Sequence, residues 1–305
     1  MLNRKVALSG FTAMFALVTG FSAAPAPAQA AQAPAFSAQA GKAYAAPAVY
    51  GRATYLIDAS NGKTLLSENA TERMPIASLT KVMTAYVVLS EAGPSDTVKI
   101  TADDVQYAED GDGTTADLRP GDRLPVKELL YGLLLPSGAD AAHALARTYG
   151  PGVDGFVGKM NATARRLGLR DTLYVNADGL PTSEGDGYST AQDQARLAAA
   201  ALRDKAFARV VSTSSHSVDE TEEHQAYTWT STNRLLGEPG VLGVKTGFTN
   251  AAGFCLTFAA DRDGHRLIGV ILGEDVSSRR FDTAESLLDW AAERGPGDGA
   301  ARGDL

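Results

Sequence analysis

The chain has 305 residues, 44% of them hydrophobic and 21% charged, the composition of a folded protein that can bury one large core or two modest ones. Its formal net charge of −8, with no basic stripe carrying interleaved aromatics, excludes nucleic acid as a partner. A single cysteine, Cys255, excludes an intramolecular disulfide, and its neighbours Phe254 and Leu256 mark it as a small buried strand residue rather than a reactive thiol.

In chain order, Arg4 and Lys5 precede an apolar stretch that ends at Phe21, and small residues then run to Ala28-Gln29-Ala30. This is the pattern of a secretory signal peptide over 1–30. Cleavage is favoured over an uncleaved anchor because no large apolar residues cluster beyond Phe21. Residues 31–49, rich in Ala, Pro and Gln, read as a linker. Alternating segments at 53–58 and 64–68 flank Asn61-Gly62 and predict a hairpin. An apolar run that includes Val82, Met83, Ala85, Val87 and Val88 predicts a buried helix ending at Gly93-Pro94. Residues 98–100 are a short strand candidate, and helical spacing follows at 126–135. The helix breaks at Pro136-Ser137-Gly138 and resumes over 139–149, with further helices at 153–167 and 190–202. Strands return at 217–229, 240–246, 253–260 and 266–272, the last two joined by the turn sequence Asp261-Arg262-Asp263-Gly264, and an amphipathic helix closes the series at 279–292. This order predicts an α+β fold over 50–294: an antiparallel sheet flanked by terminal helices, with a mainly helical insert at about 94–205 and a site in the cleft between them. Residues 295–305 read as a disordered tail without an amphipathic anchor, so the mature protein carries no stable membrane attachment.

Ser78 and Lys81, in Pro75-Ile-Ala-Ser-Leu-Thr-Lys81, stand one turn apart at the start of the first helix and so share a face. A serine hydroxyl needs a neighbouring base to become a nucleophile, and a lysine amine serves as one when burial or nearby positive charge lowers its pKa. Ser60-Asn-Gly-Lys63 has the same spacing, but it lies in the hairpin turn, where i and i+3 do not stack. Downstream come Ser137-Gly-Ala-Asp140 at the helix break and Lys245-Thr246-Gly247 at a strand end. Each match alone is weak, Ser137 being an ordinary helix-cap residue and Lys-Thr-Gly an ordinary strand end. Their order and context give them meaning together. His143, His216, His224 and His265 have no metal-ligand spacing and read as structural or surface residues.

With these three motifs the chain resembles the serine D-alanyl-D-alanine carboxypeptidases among the low-molecular-mass penicillin-binding proteins. The likeness extends to Leu167-Gly-Leu-Arg-Asp-Thr172, Asn176-Ala-Asp-Gly-Leu180, Tyr188-Ser-Thr190, Ala252-Gly-Phe-Cys255 and Leu287-Leu-Asp-Trp290. The resemblance implies an exported enzyme, without cofactor, that trims the terminal D-alanine of peptidoglycan stem peptides through an acyl-enzyme and is acylated by β-lactams. It makes Ser78 the nucleophile, Lys81 its base and Ser137 a proton carrier to the leaving D-alanine. Lys245 would supply positive charge that keeps Lys81 deprotonated. Thr246 would bind the substrate carboxylate, the N–H groups of Ser78 and Phe248 would form the oxyanion hole, and Arg280, or its neighbour Arg279, would be the carboxylate-binding arginine. One position departs from the pattern: the middle motif usually ends in asparagine, and here that place is Ala139. The expectation is altered substrate positioning, with Ala139→Asn raising turnover if the pocket has room. A class A-like β-lactamase would need a Glu-x-x-Leu-Asn element, which the insert lacks. An endopeptidase or transpeptidase of the same family would differ only in leaving group or acceptor, and a non-catalytic cell-wall binding protein would keep the cleft without the chemistry.

Overall fold

The computed structural model describes residues 45–93 and 95–293; the signal peptide, most of the linker and the tail expected from the sequence lie outside them. Strands β1 (Ala53–Asp58) and β2 (Lys63–Glu68) form the hairpin around Asn61-Gly62. Asp58 fixes the turn by accepting from the Ser60 N–H and the Asn61 amide. After a single 3-10 turn, Ala77–Leu79, comes helix α1 (Thr80–Glu91), whose positions 80–85, 87 and 88 are all buried. A helix apolar on every side belongs inside the molecule, and α1 is its central element.

The helical block follows with β3 (Thr97–Lys99), α2 (Ala102–Asp110), β4 (Arg123–Pro125), α3 (Val126–Leu134), α4 (Ala139–Tyr149) and α5 (Gly152–Arg166), then α6 (Ala191–Ala201) and α7 (Lys205–Val211). Helix α2 was not expected. It begins with a capping box in which Thr101 and Asp104 satisfy each other's backbone N–H groups. Asp104 also accepts from Arg147 and pairs with His143 of α4, and although burial opposes it, these partners hold its carboxyl well below the usual range.

Residues 217–229 do not form one strand of the main sheet. They divide into β5 (Ser215–Val218) and β6 (Tyr227–Thr230), which pair only with each other. The reason is the acidic run Asp219-Glu-Thr-Glu-Glu223 between them, which stays exposed as a loop. The hairpin is tied to the helical block instead: the Trp229 indole donates to Ala116 O at 2.8 Å and the Tyr227 hydroxyl donates to Asp122 at 2.6 Å.

Strands β7 (Val241–Thr249), β8 (Gly253–Arg262) and β9 (His265–Glu274) complete a five-stranded antiparallel sheet in the order β2-β1-β9-β8-β7. Strand β7 is therefore an edge. The C-terminal helix α8 (Arg279–Glu293) buries Phe281, Leu287 and Leu288 against Leu56, Leu256 and Ile271 on one sheet face. The opposite face is covered by α6, which packs on β9 and β1, so the second covering helix comes from the inserted block rather than from the N-terminal side. The alanine-rich α6 offers the flat buried surface that fits closely on a sheet. The larger core, between this face and the helices, surrounds α1 and includes Met83, Val87, Leu129, Leu145, Phe156 and Val270.

Candidate active site

The edge strand β7 packs on the turn that carries Ser78 at the start of α1, and its Thr246 bonds to Thr232, whose N–H donates to Leu135 O at the break between α3 and α4. Ala77 adopts φ +48° just before Ser78, an uncommon conformation for a residue with a Cβ, and turns the chain sharply into the helix. Two glycines make that turn possible. A Cβ on Gly179 would lie 1.9 Å from Ala77 O, and one on Gly247 would lie 3.2 Å from Ser78 N, so the 176–180 loop and β7 can press on the Ser78 segment only without side chains.

Lys81 donates to Ser78 Oγ at 3.0 Å and to the carbonyl of Asp178 at 3.0 Å, while Thr84, one turn later, holds the carbonyl of Ala177. The Asn176-Ala-Asp-Gly-Leu180 segment is thus clamped across α1, and Asn176 closes it on itself through Leu180 O and Gly179 N. Lys81 is 1% exposed, and burial lowers its pKa to about 8, against the opposing pull of the Asp178 and Asp140 carboxylates. Ser78 is half-buried. A reachable hydroxyl within hydrogen-bond distance of an amine that readily becomes neutral can act as nucleophile and base.

Ser137 sits at the break between α3 and α4 with φ +73°. Its hydroxyl is buried and has no hydrogen-bond partner among the described residues, while its carbonyl accepts from Thr114 at 2.8 Å. An orphaned buried hydroxyl costs about 1–3 kcal/mol, and here it is joined to a strained backbone, a pairing that makes Ser137 a candidate for contact with a ligand. Asp140 makes this geometry by accepting from the N–H groups of Ala116, Leu118 and Ala141. Ala139 is 0% exposed, and a Cβ on Gly113 would lie 3.0 Å from its own Cβ. The position where the motif usually carries asparagine is therefore filled by close packing.

Lys245 is fully buried and donates to Thr246 O at 3.0 Å. Burial pushes its pKa well below the ordinary lysine value, and its charged neighbours, Lys81 and Arg280, push the same way. Burial therefore lowers both amines, Lys81 and Lys245. The carboxylates of Asp178 and Asp140 work against this at Lys81, whereas at Lys245 the neighbouring charges of Lys81 and Arg280 add to it. Thr246 Oγ1 is 2.6 Å from Thr232 Oγ1. Phe248 is 50% exposed and stacks on Phe254 with ring centroids 4.3 Å apart. Arg280 lies behind β7, 8% exposed, donating to the carbonyls of Gly247 and Cys255, and burial lowers its pKa to about 10. Arg279 instead forms a two-bond pair with Glu274.

The geometry therefore brings Ser78 and Lys81 together directly, sets Lys245 and Arg280 within electrostatic reach, and leaves Ser60 elsewhere, bonded to the Arg266 N–H. Asp178, Asp140 and Thr232 were missed as site residues. The first two lie inside motifs already singled out, whereas nothing local in Ser231-Thr232-Asn233 announces its place beside Thr246. The histidines have local partners: Asp104 for His143, Glu128 for His216, Gln225 O for His224 and Asp58 for His265. Cys255 is buried, and burial raises its thiol to about 11.

A family profile described as D-alanyl-D-alanine carboxypeptidase matches residues 40–276. The D-alanyl-D-alanine carboxypeptidase of Streptomyces sp. strain K15 is 35% identical over 257 residues, covering 80% of this chain and 88% of that protein. The carboxypeptidase DacF of Bacillus subtilis is also 35% identical, over 244 residues that are 79% of this chain but 61% of that relative's length. The crystal structure of the Streptomyces K15 DD-transpeptidase superposes with a TM-score of 0.76 at 35% identity, over 81% of this chain and 98% of that one.

Proposed function

The chain belongs to the D-alanyl-D-alanine carboxypeptidase family, and from that premise we propose that it is an exported serine peptidase that removes the terminal D-alanine of peptidoglycan stem peptides through an ester on Ser78. The observation that carries this reading is the 3.0 Å contact between Ser78 Oγ and the amine of the buried Lys81. The substrate's terminal carboxylate enters beside Thr246 and Lys245, with Arg280 adding positive charge from behind the strand. An anion there favours the charged form of Lys245, and repulsion between the two amines then leaves Lys81 neutral, as a base must be.

Ser78 Oγ attacks the carbonyl carbon of the penultimate D-alanine while its proton passes to Lys81 Nζ. The oxyanion is met by the N–H groups of Ser78, at a helix start where N–H groups lack intrahelical acceptors, and of Phe248 on the edge strand. The C–N bond breaks, and the proton returns from Lys81 through the orphaned hydroxyl of Ser137 to the departing D-alanine amine. Water, deprotonated by Lys81, then cleaves the ester. A β-lactam acylates the same oxygen, but its broken C–N bond lies within a ring, so the leaving group stays attached and the ester persists. Positions 1–30 direct the chain out of the cytoplasm to where its substrate lies. Among the described residues no helix is long and apolar enough to cross a membrane.

The test is incubation with a diacetylated Lys-D-Ala-D-Ala peptide while free D-alanine is measured. Release in the wild type and none in Ser78→Ala supports the reading, and no release from a folded wild-type protein, whether the ε-amine is acetylated or free, refutes it. Including glycine as an amine acceptor separates hydrolysis from transpeptidation, the activity named for the Streptomyces K15 structure.

A further inference from the structure

A groove leads away from the Ser78 segment along the end of β7. Its walls include Pro75, Ala77, Val175, Asp186, Gly187 and Thr249. Val175 is 37% exposed, an apolar surface left open to the groove, and Asp186 is half-buried. The Asp186 carboxylate makes no hydrogen bond or ion pair among the described residues, and no cation contributes to the lining.

The direction of β7 says which part of a substrate would reach this groove. On the reading above, the terminal carboxylate is held at Thr246 and the scissile carbonyl at Phe248. An extended peptide laid along the edge strand then runs onward toward Thr249. Three residues of strand span about 10 Å, the length of extended peptide from its terminal carboxylate to its third residue from the end. That residue, the one before D-Ala-D-Ala, therefore stands at the groove mouth. The groove is shallow, so a straight alkyl stem would lie across its open mouth along Val175 and Pro75 rather than enter it, and a carboxylate at the wall favours a positive tip.

We propose that this groove is a specificity subsite for the side chain of the residue preceding D-Ala-D-Ala, and that Asp186 pairs with a free terminal ammonium on that side chain. The proposal rests on the carboxypeptidase reading and deepens it. The substrate class is a stem peptide whose diamino acid is not yet cross-linked. Once that amine has been converted to an amide, the charge that Asp186 recognises is gone.

The experiment compares D-alanine release from Nα-acetyl-Lys-D-Ala-D-Ala, which has a free ε-amine, with release from the Nα,Nε-diacetyl peptide. The wild type should prefer the free amine by about three- to twentyfold in kcat/KM, the range for a charge-assisted contact that water partly screens. In Asp186→Asn the two peptides should become equivalent within twofold, while the rate of penicillin acylation stays as in the wild type. Glu184→Gln, changing an exposed carboxylate two residues away, should keep the preference. Equal release of D-alanine from both peptides by the wild type, or a preference that survives Asp186→Asn, overturns the subsite and leaves the peptidase reading intact. Release from neither peptide overturns the peptidase reading and the subsite with it.

Discussion

At the residue scale the account turns on the protonation of Lys81. If the neutral amine is the base, the second-order rate constant of acylation should rise about tenfold per pH unit until the pH passes about 8 and then level off. The sign follows from the direction of the shift, since burial lowers the lysine pKa and the neutral form gains as pH increases. Asp178 and Asp140 oppose that shift, Lys245 is the amine that interacts with Lys81, and Tyr107 faces Asp178. Asp178→Asn keeps an acceptor for the Leu180 N–H now bonded to Asp178 Oδ1. It should move the midpoint of the profile to lower pH; an unmoved or higher midpoint would refute the assignment. Ala139 calls for the opposite outcome from the one its motif suggests. The sequence expectation was a vacancy that asparagine would fill, but the residue is fully buried against the Gly113 segment. Overpacking such a place costs about 1–3 kcal/mol, so Ala139→Asn should lower both the melting temperature and D-Ala-D-Ala turnover. A gain in turnover at unchanged stability would restore the vacancy. The motif spacing made Ser78, Lys81 and Lys245 legible in the sequence. The burial of Ala139 was not, because the segment that covers it, around Gly113, belongs to a loop with no periodicity of its own.

At the element scale, what positions the nucleophile is a meeting of two close-packed backbones with a strained turn. Gly179→Ala would drive a Cβ into Ala77 O and push the Ser78 turn away from Lys81. Penicillin acylation should fall at least tenfold, because a shift of about 1 Å in a reacting group has that order of effect. Circular dichroism would report whether the helices remain, and unchanged acylation would show that the turn is held by something else. The helices at 139–149 and 153–167 and the three long strands were readable from their periodicity alone. Helix α2 was not, since its nine residues carry four acids and bury only Asp104 and Ala108, and its capping box is the signal that could have found it. The β5–β6 hairpin was misread as one strand for a related reason. Both of its halves have strand-like residues, and only the acidic run between them marks the turn.

At the scale of the whole described unit, the division of labour between the two cores separates stability from chemistry. The core under α8 lies across the sheet from α1 and contributes no group to the proposed reaction. Leu287→Ala there should cost about 2–5 kcal/mol of stability while leaving the pH midpoint of acylation where it is, as thermal melts and acylation profiles on the same preparation would show. A moved midpoint would mean that this core also fixes where Arg280 of α8 lies against β7. The three parts of the proposed site come from residues 78–81, 137 and 245–248, far apart in the sequence, and β7 packs on the Ser78 turn. Their order was legible in the sequence, but the carboxylates of Asp178 and Asp140 that oppose the shift at Lys81 were not, because folding brings them near. The most direct test of the central claim is mass spectrometry of the wild-type protein after penicillin treatment, with peptide-level location of the adduct. The account predicts one adduct per chain, on Ser78, absent from Ser78→Ala; an adduct on Ser137, on Ser60 or on any other residue would contradict it.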